Sequence, residues 1–399
     1  MSTAASSVPQ TPVQRITKGF RANVQTYALL VALVAIWGIF FSATNGNYTT
    51  PQNISNLFRQ MTVTSFLAVG MVLIIVTGNI DLSVGKLAGF VSVVVAFFQA
   101  RIWPQVFPNQ EVLTTVLSIV AGIGVGLLFG MLQGSIIAYL KVPSFIVTLG
   151  GMWILNGALL LVTEGKTIPA NQPLFSEIAQ GYLPPAAGWV LGVVVAAVLF
   201  VLMVMGRQRK QRYGLTLEPM YMDALKTGLV AALVLLYVGI VNQYNGVQTP
   251  VLLLAIAAVV MSYVSDNTRF GRYAYAIGGN REAARLSGVN IRKNIFLIYV
   301  LMGFLCGISG TVLASYVGYG TIAAGQGYEL DAIASCVLGG TSTLGGSGTI
   351  LGAIIGSLIM SSLTNGLQMM NVQPAWQYLL KGAVLVAAVY ADVYFKKSR

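Results

Sequence analysis

The sequence predicts an all-α, polytopic transmembrane helical bundle of about 10–12 membrane segments, some of them broken or re-entrant, and three observations predict it. Of the 399 residues, 56% are hydrophobic and only 9% charged, against about a quarter charged in soluble domains. The apolar residues fall into successive runs, most of them near the roughly 20 residues that cross a bilayer. The basic residues gather in alternate loops between those runs. So few charges spread over a water-facing surface would leave large contiguous apolar patches, which soluble monomers avoid. A soluble globular enzyme is excluded.

Taken in order, the elements begin with a polar, Ser/Thr-rich segment, 1–22, read as a cytoplasmic tail. The apolar run after it is too long for a signal-peptide core and lacks a small-x-small cleavage site, so it is a retained span. Segments then lie near 26–43, 55–77, 83–100, 112–139, 143–163, 188–206, 224–241, 250–266, 294–315, 329–342, 348–363 and 376–392. The run at 329–342 is too short to span comfortably, and 83–100 and 348–363 are marginal, which allows half-helices or re-entrant pieces among them. Residues 23–395 form a single transmembrane domain with a polar loop at 267–293, and 396–399 form a second tail.

Charge sets the orientation. With the N-terminus inside, seventeen Lys and Arg fall in internal loops and only Arg101 and Lys166 outside, with Arg59, Lys86, Lys226 and Lys381 left out as lying at or within span ends. Such a bias places both termini in the cytoplasm. The net charge of +12 is therefore an orientation signal and argues against nucleic acid. The external stretches Asn45–Asn53, Trp103–Gln110 and Asn242–Pro250 are rich in Asn, Gln, Gly and Pro. They read either as ordinary polar turns or as a surface that receives a soluble partner. In the longest external loop, Glu164–Pro185, Pro169, Pro173, Pro184 and Pro185 limit regular helix.

Several chemistries are absent. The chain has no histidine, which removes His-based acid–base catalysis, His metal ligands and His pH switching. Cys306 and Cys336 lie in apolar runs without disulfide or zinc spacing and read as small packing residues. Gly165-Lys166-Thr167 has Leu160 where a Walker A loop needs glycine, and Gly85-Lys86 has Ile80 there and Leu87 after the lysine. No phosphate cradle is present, so any ATP the system uses binds another subunit. Gly122-Ile-Gly124-Val-Gly126 sits in an apolar run, where small residues let helices approach closely.

The most informative stretch is Thr268–Asn294, which holds six of the internal basic residues. Asn280 as N-cap and Gly288 as left-handed stop bracket a short helix, Arg281–Ser287. Ala283, Ala284 and Leu286 give it a small apolar contact area flanked by Arg281, Glu282 and Arg285. Two turns of helix are unstable alone in water, so the bundle or a partner must hold them.

Glu282-Ala283-Ala284 followed by Gly288 resembles the E-A-A-x-x-x-G loop of ABC importer permeases. The likeness widens through Asn79–Gly85 (NIDLSVG), Val142–Leu149 (VPSFIVTL), Ala276–Asn280 (AIGGN) and Leu338–Ser342 (LGGTS), which resemble the ribose/galactose/arabinose/xylose permease family from about Asn53 to the C-terminus. The middle region, 165–245, is less specific, and its extra spans and Arg207–Arg212 loop make the chain longer than ribose-type members. With Thr249–Leu254, Glu329–Ala334 and Trp376–Gly382, that length looks most like the D-xylose subgroup.

The resemblance implies a type II ABC importer-like bundle in a bacterial inner membrane, working as a homodimer among membrane lipids. Its partners would be a tandem ATP-binding cassette ATPase, which carries the ATP and magnesium, and a periplasmic sugar-binding protein. The chain itself would hold no cofactor or metal and have no catalytic residue. Arg281, Glu282, Ala283, Ala284, Arg285 and Gly288 would form the coupling helix and stop that dock on the ATPase.

Gly-rich interruptions beside acidic residues occur once in each half, at Asn79–Gly85 and at Tyr328–Ala334, and a second break, Gly339–Gly348, follows the latter. Paired broken helices are the best sequence pointer to a translocation path, so Asn79, Asp81, Ser83, Glu329 and Asp331 are its candidates. A charge at the bilayer centre costs about 2.5–3.5 kcal/mol even on permissive scales. Asp81, Glu329 and Asp331 therefore face a watery cavity, a helix N-terminus or the interface, either touching substrate or capping half-helices. Lys381, in the last span, is placed to pair with one of these acids, whereas Met369, Met370, Trp376 and Tyr378 read as core or interface-belt residues. A secondary transporter is the competing reading. It would need an ion or proton relay, which the three acids could supply, but the E-A-A-x-x-x-G loop tells against it.

Overall fold

The structure, a computed structural model, describes residues 24–215, 217 and 219–397. The 1–22 tail with Arg15, Lys18 and Arg21, and the end of the second tail at 398–399, lie outside the described residues. The chain forms helices α1 (Val24–Ala43), α2 (Pro51–Val76), α3 (Val84–Val106), α4 (Glu111–Ala138), α5 (Ser144–Thr163), α6 (Pro173–Gln180), α7 (Pro185–Arg212) and α8 (Met220–Val241). They continue as α9 (Thr249–Asn267), α10 (Arg269–Gly279), α11 (Arg281–Leu286), α12 (Ile291–Val317), α13 (Tyr328–Leu338), α14 (Ile350–Met369) and α15 (Pro374–Lys397). Among the described residues, nine helices are long and apolar enough to cross a membrane: α2, α3, α4, α5, α7, α8, α9, α12 and α14.

The segments expected to be marginal are longer than their apolar runs. α3 continues through a wide turn at Phe98–Ile102 to Val106, and α14 carries on past Leu363 to Met369. α13, with 11 residues, covers about 17 Å and stays a half-helix. Proline stands in the first turn of α2, α6, α7 and α9, where its missing N–H is no loss. This corrects the reading of the Glu164–Pro185 loop: Pro173 starts α6 instead of preventing helix there. α6 is pinned by Ser315, whose Oγ accepts from Ala179 N and donates to Phe175 O.

α2 is the core. In its most apolar window 89% of residues are buried, against 17% in α7 and in α8, which present most of their surface outward. α12 packs against α4, α3 and α2, and α14 packs against α2, α13 and α1. The α4–α12 seam is made by glycines four residues apart, Gly122, Gly126, Gly130 and Gly134; a Cβ on Gly126 would strike Gly303 O. Gly124, between them, faces open space, so two of the three glycines in the run Gly122–Gly126 belong to the close-packing stripe. Polar pairs lock the other seam: Ser65 Oγ donates to Ser357 Oγ at 2.7 Å, and Asn53 Nδ2 to Asn365 Oδ1 at 3.0 Å. Where no water competes, such bonds satisfy groups that would otherwise cost several kcal/mol.

Two short antiparallel strand pairs tie the longest loop to its neighbours at one end of the bundle. β1 (Ile168–Pro169) pairs with β4 (Tyr319–Gly320), and β2 (Tyr182–Leu183) with β3 (Val247–Gln248). At the other end α10 crosses the end of α2. There Gly346 N donates to Val76 O at 2.8 Å, and a Cβ on Gly278 would collide with that carbonyl. Only glycine lets these three backbones meet. The two ends of the bundle are thus chemically distinct: one carries the basic α10–α11 segment, the other the amide-rich loops.

Candidate functional site

The first helix break is closed upon itself. Thr77 Oγ1 donates to Ile74 O, and Asn79 Nδ2 donates to Thr77 Oγ1 at 3.0 Å. Asp81 Oδ1 accepts from Ser83 N at 2.8 Å and from Ser83 Oγ at 2.6 Å, bracing the start of α3. Gln133 Nε2 of α4 donates to Ser83 Oγ at 3.0 Å. Asp81 is 2% exposed and Ser83 fully buried, so both are enclosed within the helix packing.

The second break opens two ways. Gly325 and Gly327, both with positive φ, turn the chain into α13, whose first turn carries Glu329 and Asp331. Carboxylates there complement the positive end of the helix dipole. Glu329 lies against α3: its Oε2 has no hydrogen-bond partner among the described residues, and a side chain on Gly85 would occupy its place. Asp331 lies on the opposite side, where its Oδ2 accepts from Lys381 Nζ of α15 at 2.8 Å. The structure therefore brings Asp331 together with Lys381, keeps Glu329 on the far flank of α13, and leaves Asn79, Asp81 and Ser83 within their own turn.

Beside the Asp331–Lys381 pair is a cavity of about 790 Å³ between α2, α13, α14 and α15. Gln60 and Thr64 line it from α2, Gln326 and Tyr328 from the glycine turn and α13, Thr364 and Gln368 from α14, and Gln377, Tyr378 and Lys381 from α15. Gln60 Nε2 donates to Gln368 Oε1 at 3.3 Å, linking α2 to α14. The wall runs from Gln373 in the turn before α15 to Leu385. Twelve residues of helix span about 18 Å, roughly half of α2. Val76 of α2 meets α10, and Asn53 pairs with Asn365, so the Gln373 end lies on the face opposite α10–α11.

Among the sequence-derived candidates, only Asp331 lines this cavity. No sequence motif contains Gln60 or Gln368. Their one signal is an amide side chain inside an apolar run. Tyr378, read as a core or interface-belt residue, is a wall of the cavity, while Trp376 is 60% exposed.

On the opposite face α11 matches its capping chemistry. Asn280 Oδ1 accepts from Ala283 N at 2.9 Å, Gly288 has φ of 82°, and Gly288 N donates to Arg285 O. Arg285 and Glu282 pair on the helix surface. The expected apolar patch is divided: Ala284 is 5% exposed and faces the bundle, while Leu286 is 76% exposed. Among the described residues no group of three or more His, Cys, Asp or Glu is placed to hold a metal.

Residues 53–389 match the family model described as the branched-chain amino acid transport system / permease component. The chain is 43% identical over 377 residues to the xylose transport system permease protein of Haemophilus influenzae (strain ATCC 51907 / DSM 11121 / KW20 / Rd), covering 94% of this chain and 98% of that protein. Its identity to the xylose transport system permease protein of Escherichia coli (strain K12) is 41%, covering 94% and 93%. For the ribose import permease protein of Escherichia coli (strain K12) it is 32%, covering 94% and 95%. No solved structure matches.

Proposed function

We propose, since this chain belongs to the branched-chain amino acid transport system / permease component family, that it is the membrane-spanning subunit of an ATP-driven ABC importer for a monosaccharide, D-xylose first. The observation that carries this reading is identity of 41–43% to xylose permeases across 94% of the chain, above the 32% to a ribose permease. The subunit works in a bacterial inner membrane as a homodimer, with the α10–α11 face in the cytoplasm. A tandem ATPase binds ATP and magnesium, and a periplasmic binding protein delivers sugar to the opposite face.

The geometry offers a route for coupling. Arg281, Glu282, Ala283, Arg285 and Leu286 form the exposed docking surface, while buried Ala284 and the packing of α11 against α10 and α12 bind that surface to the bundle. Displacement of α11 moves α10. Through the Gly278–Val76–Gly346 contact, α10 acts on the end of α2 and on the segment joining α13 to α14. These elements wall the cavity, so motion imposed on one face reaches a polar space whose Gln373 end lies toward the other. The chain itself carries out no bond chemistry.

Uptake by proteoliposomes holding the permease, its ATPase and its binding protein tests this, with xylose, ribose, arabinose and galactose supplied in turn. Xylose uptake that requires internal ATP is expected. Uptake by the permease alone, driven by an ion gradient, would instead establish the secondary-transporter reading.

A further inference from the structure

Resting on the reading of this chain as a sugar permease, we infer that the cavity between α2, α13, α14 and α15 is a binding site for a neutral monosaccharide, in which Gln60 and Gln368 exchange their mutual hydrogen bond for sugar hydroxyls beside the Asp331–Lys381 pair. Three features of the cavity point to that ligand. Its size, about 790 Å³, lies within the roughly 300–1,000 Å³ of small-molecule sites. Its polar walls are amides and hydroxyls from Gln60, Thr64, Gln326, Thr364, Gln368 and Gln377. Each such group can both donate and accept, as a ring of hydroxyls requires. Its only charged wall residues, Asp331 and Lys381, neutralise each other at 2.8 Å. That leaves no unmatched charge to prefer an anion or a cation, and a half-buried partner to be stranded if either were drawn away.

Tyr328 and Tyr378 add aromatic walls, apolar surfaces suited to the C–H faces of a sugar ring. The Gln60–Gln368 bond, at 3.3 Å, is long for an N–H···O contact, so exchanging it for sugar hydroxyls loses little. The ligand would meet this site after leaving the face opposite α11. The permease would then test the sugar a second time, independently of whatever protein presents it.

Two measurements test the site. In the first, radiolabelled xylose is titrated onto the full-length wild-type permease in lipid nanodiscs, without binding protein or ATPase. Saturable binding, competed by other neutral pentoses and not by a sugar acid of the same carbon number, is expected. In the second, Gln60→Leu and Gln368→Leu are placed in the complete reconstituted complex with saturating binding protein. Each should weaken xylose binding and uptake by about tenfold, the worth of one well-made hydrogen bond, while the complex still assembles and hydrolyses ATP.

Absence of saturable binding to a wild-type permease whose complex transports xylose overturns the inference. So does wild-type uptake and sugar preference in both variants. A sugar acid competing as well as a pentose overturns the neutral-ligand assignment. If the wild-type complex transports no sugar at all, the proposed function itself fails, which separates the two readings.

Discussion

At the residue scale, Asp81 and Asp331 share a sequence context, an acid beside a glycine-broken helix, yet occupy different surroundings. Asp331 borders the cavity and pairs with Lys381 at 2.8 Å. Asp81 spends one oxygen on the N–H and hydroxyl of Ser83 and sees neither cavity nor cation. Asp81→Ala removes the acceptor of both donors and should destabilise the protein by about 1–2 kcal/mol, read as a lower Tm of the purified permease. Asp81→Asn keeps an oxygen in the same place and should retain most of its uptake. An Asn variant with wild-type Tm and no transport would show that the charge itself serves translocation. The sequence offers Lys381 as a partner for one of the three acids but not which one, because a lysine 50 positions away becomes a neighbour only through packing. Gln60 and Gln368 were less legible still: an amide in an apolar helix has no signature until the facing helix is known.

At the element scale, legibility follows the range of the interaction. The helix at Arg281–Leu286 was readable because its start and stop are local: Asn280 caps Ala283 N, and Gly288 takes φ of 82°. The span order was readable because a bilayer demands length and apolarity together, and each expected run from 26–43 to 376–392 has a helix in the structure. The division of α11 into an inward Ala284 and an outward Leu286 was not readable, since it depends on how α10 and α12 hold that helix. This arrangement gives the docking reading a selective test. Nothing lies within 4 Å of a Cβ placed on Gly288, so a side chain there meets no obstacle beyond the positive-φ cost of about 1–2 kcal/mol. Gly288→Leu should therefore insert and fold, yet lower sugar transported per ATP hydrolysed in the reconstituted complex. Unchanged coupling in a folded Leu variant would remove the C-terminal end of α11 from the docking surface.

At the scale of the whole molecule, the two faces of the bundle differ in the way a directional importer requires. One face gathers the basic loop, the Arg207–Asp223 pair at the base of α7 and α8, and α11. The other holds the amide-rich turns, the two strand pairs and the Gln373 end of the cavity. On the proposed orientation, which the positive charge near span ends supports, the first face is cytoplasmic; from Arg285 the chain leaves through α12, returns through the half-helix α13 and its glycine turns to Gly346 beside Val76, and leaves again through α14, which puts Asn371 outside. Cysteine labelling can check this without first removing native thiols, because Cys306 and Cys336 are both buried. In intact cells a membrane-impermeant maleimide should label Asn371→Cys and spare Arg285→Cys, and in inside-out vesicles the pattern should reverse. Labelling of both positions from one side would break the assignment of faces, and with it the premise that α11 and the cavity mouth answer to different partners. The inverted pattern would keep the two faces distinct but turn the molecule into an exporter-like orientation, with the docking helix outside the reach of any cytoplasmic ATPase.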